Sequence, residues 1–310
     1  MNVSLVLTVL NEERTIRELL ASISRQTQRP DEVVIIDAGS TDGTVAAIED
    51  FKKNDPSLAI VTKVVPGNRS VGRNAAIQLA RNEIVAVTDA GCVLDPDWLQ
   101  RITEPFRRTP PARVVGGWYR PNVRTPWEHA LATTLNFNGR NVRPGSFLPS
   151  SRSIAFTKES WSAAGGYPEQ VADTSEDTLF DLAIRSHHIP IEFAPTAVVS
   201  WTLDQTVRRF YDRIRRYSFS DGQYRLMLAQ YRIVAAFWMI VLAFIAAGAV
   251  LHPAAYIGAA FAVVGYLYLP LLQSKKTPSF SDSIYVPYIK GAMVLATTLG
   301  FIKGLCTRKP

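Results

Sequence analysis

The sequence predicts an α/β fold built on a doubly wound parallel sheet and followed by a membrane-spanning helical region. Two patterns support this prediction. Between residues 4 and 89, short apolar runs alternate with segments of helical periodicity, as expected for parallel strands joined by crossover helices. Between residues 233 and 305, apolar runs with few charges reach the length that a bilayer requires.

Short apolar runs predict the first four strands at residues 4–9, 32–37, 58–64 and 84–89. The helices between them are expected to begin after Asn11, after Thr41 or Asp42, and at Ser70, because these side chains are good N-caps. Further along, the pattern predicts helices at 96–107 and 126–138 and strands at 113–118 and 150–156.

Polar residues follow three of the predicted strands. Asn11 and Glu12 come after the first strand, Asp37 ends the second, and Asp89 ends the fourth. Ligands of open α/β sheets bind at the carboxyl ends of the strands, so these side chains are expected to meet in one nucleotide pocket. There Asp37 can accept a hydrogen bond from a base or ribose, and Arg73 on the third helix can reach a diphosphate.

Asp89 is the residue on which this pocket depends most. A carboxylate beside the small residues Ala90 and Gly91 suits a divalent cation shared with a diphosphate. The alternative is an aspartate that only caps the next turn, but the convergence of three polar strand ends favours the pocket. The chain has no GxGxxG after its first strand and no P-loop motif, which argues against a dinucleotide enzyme and a P-loop nucleotidase.

A second acidic motif lies later in the chain. Ser175 is expected to cap a helix that holds Glu176 and Asp177 in its first turn. The alternative is that the two acids only complement the helix dipole. His187 and His188, in the same helical segment, are expected at its surface or its end.

The apolar runs at 233–251 and 254–272 are each long enough to span a bilayer, and His252-Pro253 between them indicates a hairpin. A third run, 284–305, contains Lys290 and Lys303, so it either spans or lies in the interface with its lysines snorkelling. Buried helices of a soluble core are the alternative, but such helices rarely run so long without a charge.

The excess positive charge is concentrated between about Arg208 and Arg232, and residues 204–228 form a basic amphipathic segment that leads into the first span. We expect it to lie on anionic lipid. Nucleic-acid binding is disfavoured because no stacking aromatics are interleaved on the basic face. Basic residues beside a span favour the cytoplasmic side, and Lys275 and Lys276 agree with that orientation.

The first part of the chain is expected to remain in the cytoplasm. The apolar run 4–10 is short, lacks a basic leader and is followed at once by charged residues, so it is not expected to be a signal peptide. The two cysteines, Cys92 and Cys306, form neither a disulfide framework nor a CxxC site. Cys92 is expected to be a packed small residue.

An ordered set of motifs in residues 2–222 resembles the inverting family-two glycosyltransferases, membrane-attached enzymes of the GT-A fold, which has a Rossmann-like mixed sheet. The motifs are VLNEE at 9–13, DAGSTDGT at 37–44, GRN at 72–74, TDAG at 88–91, GGYP at 165–168, SED at 175–177, and, more faintly, Arg216-Tyr217 with Gly222. They are similar to the family's opening loop, nucleotide-binding turn, diphosphate helix, DxD metal motif, acceptor signature with its general base, and QxxRW region.

The resemblance implies that a nucleotide-sugar lies across the strand ends, with a UDP-sugar as the first expectation. The implied donor-binding residues are Leu10, Asn11, Glu12, Asp37, Gly39, Ser40, Arg73, Asn74, Asp89 and Ala90. Mg or Mn on Asp89 would neutralise the leaving nucleoside diphosphate. Gly91 departs from the family pattern, because it replaces the second Asp of DxD and leaves the metal fewer carboxylates; Asp95 can contribute from the loop.

The resemblance also implies that Asp177 deprotonates an acceptor hydroxyl for a single displacement with inversion. Glu176 would hold the acceptor or orient the base, and Arg216 would lie on the acceptor side. The expected acceptor is a hydroxyl of a lipid-linked or membrane-proximal glycan. A polyprenyl phosphate is the alternative, but it is already ionised and needs no base.

The implied organisation is a cytoplasmic GT-A catalytic domain at 1–203, an interfacial helix at 204–230 and a membrane domain at 231–310. A non-catalytic nucleotide-binding membrane scaffold remains an alternative, supported by Gly91 and opposed by the intact Glu176-Asp177 pair. A nucleotidyltransferase is disfavoured because the loop after the first strand is acidic rather than glycine-rich and basic.

Overall fold

The computed structural model describes residues 1–135, 145, 147–171, 174–274 and 277–307. The chain forms two compact units. The first contains Met1–Pro121 and Asn138–Thr202, and the second contains Asn122–Phe137 and Leu203–Pro310. The predicted first domain, residues 1–203, differs from the first unit because the segment that begins at Asn122 is grouped with the second unit.

Among the described residues, the first unit is built on an eight-stranded mixed sheet. Its strands are β1 (Val3–Val9), β2 (Glu32–Asp37), β3 (Ile60–Val64), β4 (Ile84–Val87), β5 (Cys92–Leu94), β6 (Val114–Asn122), β7 (Ile154–Thr157) and β8 (Ile191–Thr202). They lie in the order β3-β2-β1-β4-β7-β6-β8-β5. Strands β1 to β4 are parallel, whereas β7 runs antiparallel to β4 and β6, and β5 runs antiparallel to β8.

The helices, numbered along the chain, are α1 (Ile16–Ser24), α2 (Thr44–Asn54), α3 (Arg69–Leu79), α4 (Trp98–Thr103), α5 (Pro126–Leu135), α6 (Lys158–Ala163), α7 (Glu176–Ser186), α8 (Val207–Tyr224), α9 (Leu228–Val250), α10 (Ala255–Gln273) and α11 (Phe280–Leu305). A 3-10 turn, Glu104–Arg107, follows α4. Helices α5 and α8 to α11 belong to the second unit.

The parallel half of the sheet is covered on both faces, as the alternation of strands and helices predicts. Leu5 of β1 packs in one buried cluster with Ile16 and Leu19 of α1. Its neighbour Val6 packs in a second cluster with Ile77 of α3. Because successive strand residues point to opposite faces, the two clusters lie on opposite sides of the sheet.

The mixed sheet that the family resemblance implies is present, whereas the parallel sheet expected from the alternation alone is confined to β1 to β4. The sequence analysis does not predict β5, β8 or α6. Strand β5 is only three residues long, and β8 contains Pro195, which removes a backbone donor and weakens the strand pattern. Strand β3 begins at Ile60 rather than at residue 58.

The predicted helix caps are wrong or incomplete at α1, α3 and α7, and also at α2. Asn11 has a positive φ of 56° and accepts a hydrogen bond from the Thr41 backbone, so it bridges two loops while α1 begins only at Ile16. Asn68, not Ser70, caps α3. Ser175 stands at the N-cap position of α7, but its φ is 67° and, within the described residues, its side chain makes no capping hydrogen bond.

Helix α2 begins one residue after Gly43, so neither predicted cap residue stands at its N-cap position. The Asp42 side chain nevertheless accepts a hydrogen bond from the Thr44 backbone at 3.0 Å, which satisfies a donor in the first turn. The predicted helix at 126–138 is present as α5 up to Leu135, and its last residues lie outside the described part of the chain.

Three helices of the second unit, α9, α10 and α11, are long and apolar enough to cross a membrane. The third apolar run, for which spanning and interfacial positions were both open, is one continuous helix of 26 residues. The basic segment forms α8, with Arg216 on it. Lys275 and Lys276, which support the predicted orientation, lie outside the described residues.

Glycines bring the backbones of α8 and α11 together within the second unit. A Cβ at Gly304 would overlap the backbone carbonyl of Phe219, and a Cβ at Gly222 would overlap that of Phe301. Small residues allow such close approach of apolar helices. The basic helix is therefore joined to the third apolar helix by direct backbone packing.

We predict that Gly304→Ala destabilises the protein by about 1–3 kcal/mol through overpacking, although alanine is the better helix former. Gly265→Ala on α10 is the matched control, because a Cβ there meets nothing within 4 Å. Thermal unfolding in detergent measures both. Equal melting temperatures for the two variants would show that the backbones are not in close contact.

Candidate functional site

The ends of β1 and β2 are joined by loop-to-loop hydrogen bonds. The backbone N–H of Asn11 donates to Ser40 Oγ at 2.9 Å, and that of Glu12 donates to Thr44 Oγ1 at 2.7 Å. Asp37 accepts from the backbone and hydroxyl of Ser40 at 2.6–3.1 Å. The structure thus brings these predicted donor-binding residues together at the carboxyl edge of the sheet.

Two further features of this edge leave room for a ligand. Gly39 has a φ of 104°, which only glycine adopts without strain, and a Cβ there would meet nothing within 4 Å. Leu10 is 53 % exposed at the end of β1. An exposed apolar side chain beside backbone polar groups suits the flat face of a nucleotide base.

Arg73 links the end of β4 to the start of α7. Its Nη2 atom lies 2.7 Å from Asp89 Oδ1, and its Nη1 atom lies 2.8 Å from Glu176 Oε1. The Arg73 side chain is only 2 % exposed, so both ion pairs are shielded from water. Arg69 supports the same glutamate at 3.1 Å. Arg73 therefore fixes the positions of Asp89 and Glu176 relative to each other.

These contacts decide the charge of Asp89. Burial opposes its charged form, but the guanidinium group of Arg73, with those of Arg152 and Arg69, lowers the pKa of Asp89 to about 2. The carboxylate is therefore ionised at neutral pH. An ionised oxygen at a strand end is what a divalent cation requires from its ligand.

The two adjacent acids of α7 have different environments. Burial opposes the charged form of Glu176, but Arg73 and Arg69 hold its pKa below the usual value. Burial raises the pKa of Asp177, and the negative charge of Glu176 raises it further. Asp177 is half-buried and accepts a hydrogen bond from the Thr178 backbone at 2.8 Å. Glu176 is thus fixed by ion pairs, whereas Asp177 is suited to exchange a proton.

Asn74 supports the turn that precedes the acid pair. Its amide donates to Tyr167 O and to Glu169 Oε1, both at 2.8 Å, and its Oδ1 accepts from the Tyr167 backbone at 2.9 Å and the Trp161 indole at 3.1 Å. Because these four bonds occupy the amide, we assign Asn74 to holding this turn against α3. The predicted donor contact of Asn74 stays a prediction.

The sequence analysis misses Arg152, which lies opposite Asp89. Val87 of β4 pairs with Ile154 of β7, so the positions two residues beyond face each other, and Arg152 Nε is 3.9 Å from Asp89 Oδ2. The sequence predicts the returning strand but contains no signal for its register. Arg69, the first residue of α3, is missed as well, since nothing in the sequence indicates its contact with Glu176.

The donor set for a divalent cation at this edge is small. Among the described residues, no three histidine, cysteine, aspartate or glutamate side chains cluster to hold a metal. Asp95, a predicted contributor, is paired with Arg120 at 2.7 Å. Burial raises the pKa of the Cys92 thiol to about 12, so it stays protonated and is a packed residue, as predicted. Asp89 therefore fits a cation only together with phosphate oxygens and water.

A cleft of about 660 Å³ lies at the opposite end of the sheet. Its lining includes Asn82 and Ile84 at the start of β4 and Thr157 at the end of β7. These are the edges away from the strand ends that carry Asp37 and Asp89. The cleft is lined by none of the predicted site residues, which lie at the carboxyl edge, where ligands of open α/β sheets bind.

The sequence profile described as Glycosyl transferase family 2 matches residues 4–161, just over half of the chain. The chain belongs to this family. The predicted family resemblance is thereby confirmed. In this family-two protein the matched region includes the ends of β1, β2 and β4 and also Arg152, whereas Glu176 and Asp177 lie beyond it.

Two relatives show how far the likeness extends. The poly-beta-1,6-N-acetyl-D-glucosamine synthase of Staphylococcus epidermidis is 32% identical over 122 residues, which are 39% of this chain and 29% of that protein. The glucosyl-dolichyl phosphate glucuronosyltransferase of Haloferax volcanii is 24% identical over 204 residues, 62% of each protein. The matched part of this chain thus corresponds to less than a third of the staphylococcal synthase.

Among solved structures, the mannosyltransferase PcManGT from Pyrobaculum calidifontis, in complex with GDP-Man and Mn2+, has a TM-score of 0.60. It is 20% identical, and the match covers 98% of this chain and 87% of that one. At this identity the likeness shows the fold. The GT-A fold implied by the sequence motifs is therefore confirmed.

The remaining predicted site residues lie where their elements place them. Ala90 is buried directly after Asp89, and Gly91 faces open space, since a Cβ there would meet nothing within 4 Å. His187 and His188 are exposed at the end of α7, as predicted. Arg216 belongs to the second unit, and its acceptor-side role stays a prediction.

We predict that Arg73→Met lowers the free energy of unfolding by about 3–5 kcal/mol at neutral pH, because it leaves buried Glu176 without its main counter-charge. Arg73 depresses the carboxylate pKa values in the folded state, so the loss should shrink as the pH falls through the range below about 4. Unfolding of the detergent-solubilised protein measures it.

Arg113→Met is the control for this substitution. Arg113 forms an exposed ion pair with Glu159 at 2.7 Å, and removing such a pair should change the free energy of unfolding by less than about 1 kcal/mol. If Arg73→Met and Arg113→Met lost the same stability, Arg73 would not be the central link of the site.

Proposed function

We propose that this protein is an inverting glycosyltransferase that moves a sugar from a nucleotide-sugar donor to a hydroxyl of a lipid-linked or membrane-proximal glycan. The observation that carries this proposal is the contrast between Glu176 and Asp177. One acid is ionised and fixed by two guanidinium groups, and its neighbour has a raised pKa suited to a general base.

The donor is proposed to lie along the carboxyl edge of the sheet. Its nucleotide would contact Leu10, Asn11 and the Asp37–Ser40 turn, and its diphosphate would lie near Asp89. Membership in glycosyl transferase family 2 supports a nucleotide-sugar donor. The base of the nucleotide stays open: a UDP-sugar is our first expectation, while the fold neighbour PcManGT was solved with GDP-Man.

A divalent cation, Mg or Mn, is proposed at Asp89. Such a cation, when bound, would neutralise charge on the leaving nucleoside diphosphate. The protein supplies one ionised carboxylate, and phosphate oxygens and water would complete the ligands. PcManGT, which shares the fold, was solved with Mn2+, and this supports the use of a cation by the fold in general.

In the proposed reaction, Asp177 removes the proton from the acceptor hydroxyl as the oxygen attacks the anomeric carbon. The bond between the sugar and the diphosphate breaks, and the nucleoside diphosphate departs with its electron pair. Glu176 stays ionised, and its charge keeps the proton affinity of Asp177 high. A hydroxyl acceptor is favoured over a polyprenyl phosphate because a phosphate needs no such base.

The membrane helices and the relatives support a lipid-linked acceptor. Within the described residues, three helices are long and apolar enough to cross a bilayer, and we propose that they anchor the chain in a membrane. One relative is named a glucosyl-dolichyl phosphate glucuronosyltransferase, a name that describes a sugar on a lipid phosphate. We further propose that the basic helix α8 lies on the cytoplasmic leaflet.

Donor binding is tested by thermal melting of the purified full chain with UDP, GDP, dTDP or CDP, each with Mn, Mg or EDTA. A ligand at about a hundred times its Kd should add roughly 2.7 kcal/mol to the native state. One nucleotide should raise the melting temperature. If none does under any metal condition, the proposed donor site at the carboxyl edge of the sheet is wrong.

We predict that Asp177→Asn keeps this nucleotide-induced shift but lowers sugar transfer by about 100- to 10,000-fold, because the base is lost. In the native enzyme, kcat/KM should fall with decreasing pH through a pKa above the usual aspartate value. Asp50→Asn, a change at an exposed carboxylate paired with Arg17, is the control and should transfer normally. Equal transfer by the two variants would refute the role of Asp177.

We also predict that Gly91→Asp strengthens the cation dependence of nucleotide binding, because it restores a second carboxylate in open space. The ratio of the nucleotide Kd in EDTA to that in Mn should rise about tenfold or more, by the effect of ligand charge on cation affinity. Gly91→Asn adds a similar volume without charge and should leave the ratio unchanged. The same ratio in both variants would place the cation elsewhere.

A further inference from the structure

Arg73 is poorly placed to bind the diphosphate, although the sequence analysis assigns it that contact. Both of its terminal nitrogens are engaged, one by Asp89 and the other by Glu176. Its side chain is 2 % exposed. A phosphate that took either nitrogen would leave a buried carboxylate without its counter-charge, which costs several kcal/mol. A more exposed guanidinium group is therefore better placed than Arg73 to contact the leaving diphosphate.

Arg152 has the position that Arg73 lacks. It stands opposite Asp89 across the end of the β4–β7 pair, and its side chain is 18 % exposed. Its Nε atom is 3.9 Å from Asp89 Oδ2, a longer approach than the 2.7 Å ion pair of Arg73. The charge of Arg152 also acts on Asp177, the proposed base. Arg152 thus lies beside the strand-end acid, and its charge favours the ionised form of the proposed base.

Aromatic rings orient the Arg152 guanidinium. Its central carbon is 4.7 Å from the centre of the Trp201 ring and 5.4 Å from that of Tyr119. Nη1 donates to Ser150 Oγ at 3.0 Å. A guanidinium held on aromatic faces has a fixed plane, and a planar guanidinium suits the recognition of phosphate.

The small number of carboxylates at the strand end favours a guanidinium group as a further partner of the diphosphate. Gly91 leaves Asp89 as the one carboxylate of the predicted metal motif, so a bound cation would be held weakly by the protein itself. A divalent cation bound to the Asp89 carboxylate does not neutralise the whole negative charge of a nucleoside diphosphate. Trp201 pairs with Cys92 directly after Gly91, so the ring that supports Arg152 is fixed beside the reduced motif.

We propose that Arg152 is the guanidinium that binds the diphosphate of the donor, sharing its charge with the cation at Asp89. This rests on the proposed function and adds a residue to its donor site. On this assignment Arg152 contacts the leaving group directly, while Arg73 acts by positioning Asp89 and Glu176. The shared chemistry is phosphate recognition, for which the acceptor lipid phosphate is the other possible source.

The test uses the purified full chain and the nucleoside diphosphate that binds it most tightly among UDP, GDP, dTDP and CDP. Calorimetry gives its Kd in Mn and in EDTA for the native protein, Arg152→Met, Arg152→Lys and Arg113→Met. The corresponding nucleoside, which has no phosphate, and farnesyl phosphate serve as further probes. The melting temperature without ligand reports whether each variant folds.

Arg152→Met should weaken diphosphate binding about ten- to a hundredfold in both Mn and EDTA, the effect of losing a charge-assisted hydrogen bond. The affinity for the nucleoside should not change. If Arg152 only supported the structure of the pocket, its loss would weaken nucleoside binding as well. Arg152→Lys should lose severalfold, because it keeps the charge but not the planar fork. If Arg152→Met does not fold, the diphosphate affinity of Arg152→Lys provides the test. Arg113→Met, at the other end of the sheet, should bind as the native protein does.

Native diphosphate affinity in both Arg152 variants would overturn the assignment and leave the proposed function standing. A loss of affinity for farnesyl phosphate alone would also overturn it, because Arg152 would then bind the phosphate of the acceptor lipid. If the native protein binds none of the four nucleotides, the proposed function itself fails, and the assignment fails with it.

Discussion

The buried guanidinium of Arg73 is the interaction on which the candidate site depends. It joins two elements that are far apart in the chain, the end of β4 at Asp89 and the first turn of α7 at Glu176. A buried ion pair adds little net stability, but removing one partner is expensive, so it fixes geometry more than it stabilises. The arrangement of the strand-end acid and the acid pair follows from this one side chain.

The same interaction separates the roles of two neighbouring acids. Arg73 and Arg69 favour the charged form of Glu176 and hold its pKa below the usual value, whereas burial raises the pKa of Asp177 and the negative charge of Glu176 raises it further. A sequence motif of two acids thereby becomes one fixed charge and one group that can take up a proton. Two adjacent carboxyl groups can thus have different pKa values because their surroundings differ.

The parallel half of the fold and the strand-end residues were predictable from the sequence, because strand periodicity and the rule for α/β pockets apply directly there. Asp37 and Asp89 were singled out by this reasoning, whereas the Glu176-Asp177 pair was singled out by the helix-start pattern after Ser175 and by the family resemblance. The antiparallel half was not, since β5 is short and β8 is interrupted by Pro195. The three apolar helices were predictable from length and composition alone.

Contacts that depend on register or on buried partners were beyond the sequence. Arg152 faces Asp89 only because Val87 pairs with Ile154, and no residue pattern specifies that register. Asn11 looks like a helix cap but bridges two loops, since its neighbour in space, Thr41, is thirty residues away. Arg73 was expected to reach a diphosphate, but the sequence did not indicate its ion pairs with Asp89 and Glu176, which come from other segments of the chain.

The central claim, that the carboxyl edge of the sheet is the donor site, is tested most directly by hydrogen–deuterium exchange with and without the tightest-binding nucleoside diphosphate. The account predicts protection of backbone amides at residues 10–13, 38–44 and 88–92. Protection instead around Asn82 and Arg113, which line the cleft at the other end of the sheet, would contradict it.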